Sequence, residues 1–127
     1  MPLQVLLRLV VVSVVLIGAD AERQSRAEPR LANIVGFGAT TCRQFNDDVR
    51  SNPNVRLNYL AWAQGFTSGI LLGRPPGVDI GLDLDPQTFG LLKQLQFLEE
   101  YCAKNGSQNF ADGVEALYKR LRQEGKT

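Results

Sequence analysis

Two cysteines, Cys42 and Cys102, are the residues whose type and spacing indicate a defined covalent chemistry. They lie 60 positions apart, and neither belongs to a Cys-x-x-Cys motif of a redox-active dithiol. In an oxidising compartment, two such cysteines favour one structural intrachain disulfide, with a reactive thiol or a bridge between two chains as the alternatives. A bridge closing a loop of this length would stabilise the folded state by roughly 4 kcal/mol in the chain-entropy model.

The sequence offers few other groups for catalysis or metal binding. It contains no histidine, which excludes a histidine-based catalytic triad, an HExxH zinc site and an imidazole pH switch. The pairs Asp47–Asp48 and Glu99–Glu100 are adjacent, so on a helix the two carboxylates of a pair point about 100° apart and favour solvated faces. The acids Asp79, Asp83 and Asp85 do not have the spacing of a calcium loop. We therefore predict no metal, no cofactor and no enzymatic activity.

The length and the net charge of the chain limit the kinds of molecule that it is expected to bind. The chain has 127 residues, 14 of them basic and 13 acidic, with a formal net charge of +1. This length fits one domain, and the balanced charge gives no electrostatic footprint for nucleic acid. The sequence therefore indicates a small binding or structural protein whose partners are proteins, either clients, one dedicated partner or a second copy of the chain.

The first 21 residues differ in composition from the rest. An apolar run over Leu9–Ile17 follows the single charge of Arg8, and the small residues Ala19-Asp20-Ala21 come after it. This arrangement is typical of a secretory signal peptide that is cut after Ala21. A membrane anchor is the alternative, but the apolar stretch is at most 13 residues long, against the roughly 17–25 that span a bilayer. We expect a mature chain that is periplasmic or secreted and is not attached to a membrane.

Residues 22–39 are predicted to form a flexible N-terminal arm, with docking of its second half on the domain left open, and residues 40–127 a helical domain. In the mature chain, leucine and alanine outnumber valine and isoleucine, which favours helices over strands. The first helix is expected to begin after Thr41, the N-cap of a capping box in which Gln44 reaches back to the Thr41 amide. The turn-forming residues 51–54 end this helix.

The second predicted helix runs from about Pro53 to Leu72 and carries two stripes. Apolar residues recur at spacings of three and four: Tyr59, Trp62, Phe66 and Ile70. This pattern is typical of a buried core, with a ligand pocket or partner groove as the alternative. A row of small residues, which would let another backbone come close, lies beside it at every fourth position: Ala61, Gly65 and Gly69.

A loop without regular structure is predicted from Gly73 to Leu84. A dozen such residues is long for a compact domain, and loops of this length are often functional or mobile. Our candidate partner-binding residues come from this loop and from the helix before it: Pro75, Pro76, Trp62, Phe66 and Ile70.

The third helix is predicted over Pro86–Lys104, with Asp85 as its N-cap. Its expected buried face consists of Phe89, Leu92, Leu95, Leu98 and Cys102. Gly106 is expected to end it in the left-handed conformation, and Ser107 to cap a fourth helix that reaches about Gln123. Because amphipathic helices must bury their stripes against one another, we predict an all-α fold, a small four-helix orthogonal bundle with one intrachain disulfide, preceded by the signal peptide.

The segments around the cysteines and in the last helix form a combined pattern: Thr41-Cys42-Arg43-Gln44-Phe45, Tyr101-Cys102-Ala103-Lys104-Asn105, and Asn109–Val114 with Tyr118–Leu121. In this pattern the chain resembles the HdeA/HdeB family of small periplasmic acid-stress chaperones. The resemblance implies an all-helical fold, one disulfide between Cys42 and Cys102, and dimerisation near neutral pH. It also implies binding of unfolding client proteins after acid has dissociated the dimer.

The leading functional hypothesis is therefore an exported acid-stress chaperone. Without residues 1–21, the chain has 12 carboxylates, and protonating all of them would raise its formal net charge from +1 to +13. Self-repulsion would then oppose compactness. The second hypothesis is a dedicated periplasmic binding protein, such as the small helical immunity proteins that neutralise type VI secretion effectors. In that case the Gly73–Leu84 loop or the second helix would insert into one target enzyme.

Overall fold

The computed structural model describes residues 33–124, which form four α-helices joined by turns and one long loop. The helices are α1 (Cys42–Ser51), α2 (Arg56–Leu72), α3 (Leu91–Lys104) and α4 (Phe110–Glu124). Short 3₁₀ turns cover Gly36–Ala39, Pro53–Val55 and Gln87–Phe89. Within residues 33–124 there is no β-strand, only an isolated bridge between Thr41 and Asn109. The all-α prediction with four helices is confirmed, whereas the predicted signal peptide lies outside the described residues.

Aromatic rings from three helices meet in the core. The ring of Phe45 in α1 lies 4.7 Å from that of Tyr59 in α2 and 4.7 Å from that of Phe110 in α4. All three side chains are buried, as is Leu98 of α3. The rings are tilted or edge-on, the geometry that aromatic pairs prefer, and each such pair contributes about 0.5–1.5 kcal/mol beyond its buried area. This cluster therefore holds the four helices together.

Residues Gly36–Ala39 lie inside the folded unit. Their 3₁₀ turn packs against α2 and α4, and the ring of Phe37 lies 4.5 Å from that of Tyr59. The folded domain thus begins at least four residues before the predicted boundary at residue 40. The second half of the predicted N-terminal arm docks on the domain at Gly36–Ala39, whereas residues 22–32 of the arm lie outside the described residues.

The start of α1 follows one half of the predicted capping box. Thr41 is the N-cap, and its hydroxyl oxygen accepts a hydrogen bond of 3.2 Å from the Gln44 N–H. The Gln44 side chain does not return to Thr41 but donates to the Asp48 carboxylate at 2.6 Å. The reciprocal half of the box is therefore wrong, because a carboxylate one turn further along the helix takes the Gln44 amide.

Helix α3 begins five residues later than predicted. Gly90 precedes it in an extended conformation, with φ −68° and ψ 177°, and separates it from the 3₁₀ turn over Gln87–Phe89. Asp85 is therefore not its N-cap. The extended residue lets the Phe89 side chain turn into the core, where it is 8% exposed.

The prediction that Leu92 lies on the buried face of α3 is wrong. Its side chain is 80% exposed, whereas Gln94 is buried with its amide donating to the Leu84 carbonyl at 2.9 Å. At 3.6 residues per turn, Leu92 lies about 120° around the helix from the buried Leu98. Residues spaced by threes drift around the helix in this way, so Leu92, the first of them within α3, faces solvent.

The turn between α3 and α4 also differs from the prediction. Asn105 ends α3 with φ −130° and ψ 47°, and Gly106 does not have a positive φ. Helix α4 starts at Phe110, and the Asn109 N–H before it donates to the Asp112 carboxylate at 2.9 Å. Ser107 lies too early in the chain to cap it.

Candidate functional site

Cys42 and Cys102 form a disulfide bond, and their Cα atoms are 4.6 Å apart. The bond joins the first residue of α1 to the last turn of α3, and both cysteines are buried. Backbone hydrogen bonds tie the same region, because the Cys42 N–H donates to the Gln108 carbonyl at 2.7 Å and the Phe110 N–H to the Thr40 carbonyl at 2.8 Å. The predicted intrachain disulfide is confirmed, and it fixes the start of α1 to the end of α3.

Trp62 and Phe66, two of the predicted partner-binding residues, are half-buried on α2. Their rings stack, with centroids 4.8 Å apart and planes 18° apart. The indole lies over the N-terminal 3₁₀ turn, where a Cβ on Gly38 would overlap its ring. Both side chains therefore fill space in the fold, and a role in partner binding stays a prediction.

A different side of α2 faces solvent without charged groups. We define its outward face as Leu57, Ala61, Gly65 and Leu72, which lie within about 80° of one another at 3.6 residues per turn. All four are exposed, Leu57 at 61% and Leu72 at 87%. Arg56, in the first position, is the only charged residue of this 17-residue helix. Neither leucine is among the residues predicted to bind a partner, although the lack of charge in this helix is visible in the sequence.

Two glycines near the outward face have no packing role within the fold. A Cβ on Gly65 or Gly69 would meet nothing within 4 Å in the described part of the chain. A glycine in a helix interior costs about 1 kcal/mol relative to alanine. The packing of residues 33–124 does not offset this cost.

The long loop, residues 73–86, is built from tight turns. Pro75 and Pro76, the other predicted partner-binding residues, are exposed. The Val78 N–H donates to the Pro75 carbonyl at 3.0 Å, and the Leu82 N–H to the Asp79 carbonyl at 3.1 Å. The side chain of Ile80, which is 82% exposed, lies in the second of these turns. Ile70, the remaining candidate, is half-buried near the end of α2.

The Asp79 carboxylate of the long loop is buried against α4. Its side chain is 4% exposed. Oδ1 accepts a hydrogen bond from Arg122 Nε at 2.8 Å, and Oδ2 accepts one from the Tyr118 hydroxyl at 2.8 Å. Arg74 Nε lies 3.1 Å from Oδ2 as an ion pair that is not aligned for a hydrogen bond. The long loop is thus attached to α4 through one carboxylate.

The surroundings of Asp79 favour its charged form. Burial acts to raise the pKa of Asp79, but the hydrogen bonds from Tyr118 and Arg122 and the charges of Arg122 and Arg74 outweigh it and hold the pKa below its usual 3.8. The same contact, after burial, raises the pKa of Tyr118. Sequence analysis considered Asp79 only as a metal ligand.

Tyr59 forms a second tyrosine–carboxylate contact, between α2 and α1. Its hydroxyl donates to Asp48 Oδ2 at 2.6 Å. Burial, followed by this hydrogen bond, raises the pKa of Tyr59 to about 12. The pair therefore fixes the position of α2 relative to α1, and its geometry does not indicate a catalytic role.

A cavity of about 550 Å³ lies between α1 and α3, beside the disulfide. Its lining mixes Arg43 and Arg50 with Glu99 and the apolar Val49. Arg50 pairs with Asp47, which reduces the net positive charge on the α1 side of the cavity. No sequence motif indicated this cavity.

Residues 33–124 contain neither a cluster of metal-ligating side chains nor a helix that could span a membrane. This part of the chain has no group of three or more histidine, cysteine or acidic side chains placed to hold a metal ion. Its helices are too short or too polar to cross a lipid bilayer. No family model, curated protein or solved structure matches the chain. The contacts described above, together with the sequence, therefore supply the basis for a function.

Proposed function

We propose that this protein is an exported periplasmic acid-stress chaperone, similar in function to the HdeA/HdeB family, that binds unfolding clients through the outward face of α2. The observation that carries the proposal is the combination of exposed leucines with an absence of charge on that face. Large exposed apolar side chains on one face of a helix mark interaction sites on small proteins, and the exposed polar residues on the same side of α2, Gln64 and Ser68, are uncharged. A face without charges places few demands on its partner, which suits many unrelated clients.

The same face pairs two copies of the chain at neutral pH in this proposal. An antiparallel two-fold axis near Gly65 sets Leu57 of one copy opposite Leu72 of the other, because these residues lie eight and seven positions from Gly65. The small side chains between them allow a close approach. A strip of about 25 Å by 10 Å is well below the roughly 800 Å² per partner of a standard complex. Such a dimer dissociates readily.

Acid supplies the trigger. Between pH 7 and pH 2 the carboxylates protonate, and the positive charge that remains drives two like-charged copies apart. The uncharged outward face becomes free for clients at the pH at which those clients unfold. The disulfide limits how far the opened chain can extend.

The test measures client aggregation and mass against pH. Leu72→Lys adds a positive charge to the outward face at every pH used, and Leu92→Lys makes the same change at a similarly exposed leucine on α3. We expect wild type and Leu92→Lys to suppress the aggregation of two unrelated acid-labile enzymes below about pH 4. Leu72→Lys should lose at least half of this protection and be monomeric by light scattering at pH 7. Equal protection by both variants, or none by wild type, would contradict the proposal.

A dedicated binding protein is the second candidate, and one observation favours it. Ile80 is 82% exposed in a turn of the long loop that the buried Asp79 attaches to α4. A rigidly held apolar side chain is a typical anchor for a pocket in one partner. This candidate predicts tight one-to-one binding at pH 7 that Ile80→Ala weakens, with no protection of unrelated clients in acid.

A further inference from the structure

We propose that Asp79 is an acid-sensitive latch, whose protonation releases the long loop from α4. The release is a property of the fold itself; only its use, to uncover apolar surface for clients, rests on the proposed function. Three groups face the carboxylate from the elements around it: Arg74 of the long loop, and Tyr118 and Arg122 of α4.

The negative charge of Asp79 holds the two guanidinium groups of Arg74 and Arg122 near one another. When solvent protonates Asp79, the neutral carboxyl loses its attraction to both guanidinium groups. Arg74 and Arg122 then stand close together without the negative charge that held them, and their repulsion separates the loop from α4. A carboxyl that is 4% exposed at its side chain has little water available to replace these partners.

The backbone on both sides of Asp79 can also change conformation easily. Asp79 has a φ of 57°, in the left-handed region that residues other than glycine rarely occupy. Gly77 and Gly81, two positions before and after it, have φ of 86° and 72°. The glycines adopt this conformation without cost, and aspartate is among the residues that tolerate it. Loss of the side-chain contacts of Asp79 frees the segment to move, with the two glycines as hinges.

The pH at which the latch opens follows from the direction of the pKa shift. The pKa of Asp79 in the folded protein lies below its usual 3.8. Its stabilising contribution is therefore fully present above the unfolded value and is lost as the pH falls through the folded value. The long loop stays closed at neutral pH and opens below about pH 4.

Opening the latch uncovers part of α4. The Tyr118 side chain, whose hydroxyl bonds Asp79, is 4% exposed in the closed structure. Val78 and Leu82, one position before and three positions after Asp79, are half-buried and would gain exposure with it. The released segment is thus a second apolar surface, separate from the outward face of α2.

The test is amide hydrogen exchange of the full mature protein, read at the two hydrogen-bonded loop amides, Val78 and Leu82. Asp79→Asn removes the charge, and asparagine tolerates a positive φ as well as aspartate does. Asp83→Asn is the matched control, because Asp83 is exposed in the same loop and an asparagine there can still accept the Asp85 N–H. Dividing each variant's rate by the wild-type rate at the same pH cancels the intrinsic pH dependence of exchange.

We expect the rate ratio for Asp79→Asn to be at least about tenfold at pH 7 and to fall to about one below the midpoint of the Asp79 titration, since the wild-type latch is then open as well. The ratio for Asp83→Asn should stay near one throughout. The Cys42 and Phe110 amides, beside the disulfide, serve as the reference for global unfolding. A ratio near one at pH 7, a difference that persists below the midpoint of the Asp79 titration, or an equal effect of both variants would overturn the latch.

A measurement on the wild-type protein covers the case in which Asp79→Asn does not fold. The carboxyl carbon of Asp79, followed by NMR, must titrate at the same pH at which Val78 and Leu82 lose protection; two separate midpoints overturn the proposal. None of these readouts involves a client. If the loop opens in acid but neither wild type nor Asp79→Asn protects clients, the proposed function is contradicted and the latch is not. If clients are protected while the loop stays closed, the latch is contradicted and the proposed function is not.

Discussion

The substitution Gly38→Ala tests whether Trp62 is a structural part of the fold. Gly38 is buried in the N-terminal 3₁₀ turn, and its φ is not positive, so alanine can adopt its backbone conformation. A Cβ at this position would overlap Cη2 and Cζ2 of Trp62 and come within 2.8 Å of Cζ3. Carbon atoms in ordinary contact are about 3.5–4.0 Å apart. The indole must therefore move or the turn must shift.

Two opposing effects decide the magnitude. Alanine in place of an unstrained glycine stabilises a protein by about 0.4–1 kcal/mol, because it reduces the freedom of the unfolded chain. Overpacking of this kind costs about 1–3 kcal/mol. The overlap involves a half-buried indole that stacks on Phe66, so it cannot move without losing that contact. We expect Gly38→Ala to lower the free energy of unfolding by about 1–2 kcal/mol.

The assay is urea unfolding at pH 7, followed by far-ultraviolet circular dichroism and by the fluorescence of Trp62, the only tryptophan. Gly69→Ala is the matched control, because a Cβ there meets nothing within 4 Å and Gly69 is not part of the outward face, and it should stabilise the protein by about 1 kcal/mol. In a Trp62→Ala background, Gly38→Ala should cease to destabilise. A Gly38→Ala variant as stable as wild type, with unchanged fluorescence, would refute the reasoning.

Two further predictions concern the disulfide and Tyr59. Replacing both cysteines by alanine should lower the free energy of unfolding by roughly 4 kcal/mol, because the bond closes a loop of 60 residues. Urea unfolding of the variant and of the oxidised wild type measures this difference. A loss under about 1 kcal/mol would contradict the chain-entropy account. Because the pKa of Tyr59 is raised to about 12, the unfolded chain loses this proton first, and stability should fall between pH 10 and pH 12. Tyr59→Phe should remove that part of the fall, and an absorbance titration of wild type should show one tyrosine ionising last.

Local sequence patterns predicted those parts of the fold that depend on near neighbours. The Thr41 cap needs only residues within three positions, and it was found. The disulfide could be predicted from the presence of two cysteines and a predicted export signal, so no long-range geometry was required. Helix boundaries failed where a distant contact decides the conformation. Gly90 interrupts the predicted third helix because Phe89 turns into the core, and no residue near it in sequence indicates this.

The candidate site was harder to predict, for the same reason. Asp79 contacts Tyr118 and Arg122, which lie 39 and 43 positions further along the chain. Three aspartates occur in this region, and only the folded chain distinguishes the one that reaches α4. A partial signal was present, since a tyrosine and an arginine four positions apart share one face of a helix. The outward face of α2 was visible as a lack of charge, but solvent exposure cannot be read from an apolar helix.

The position of the disulfide also determines how the protein responds to mechanical force. A chain pulled from its two ends transmits tension through the Cys42–Cys102 bond and leaves the 60-residue loop between them slack. At about 3.5 Å per extended residue, roughly 210 Å of contour length stays hidden until the bond is reduced. The long loop and α2 lie within that shielded segment, whereas α4 does not. Under tension, α4 would detach and unfold first, and the residues between the two cysteines would remain a loop closed by the disulfide.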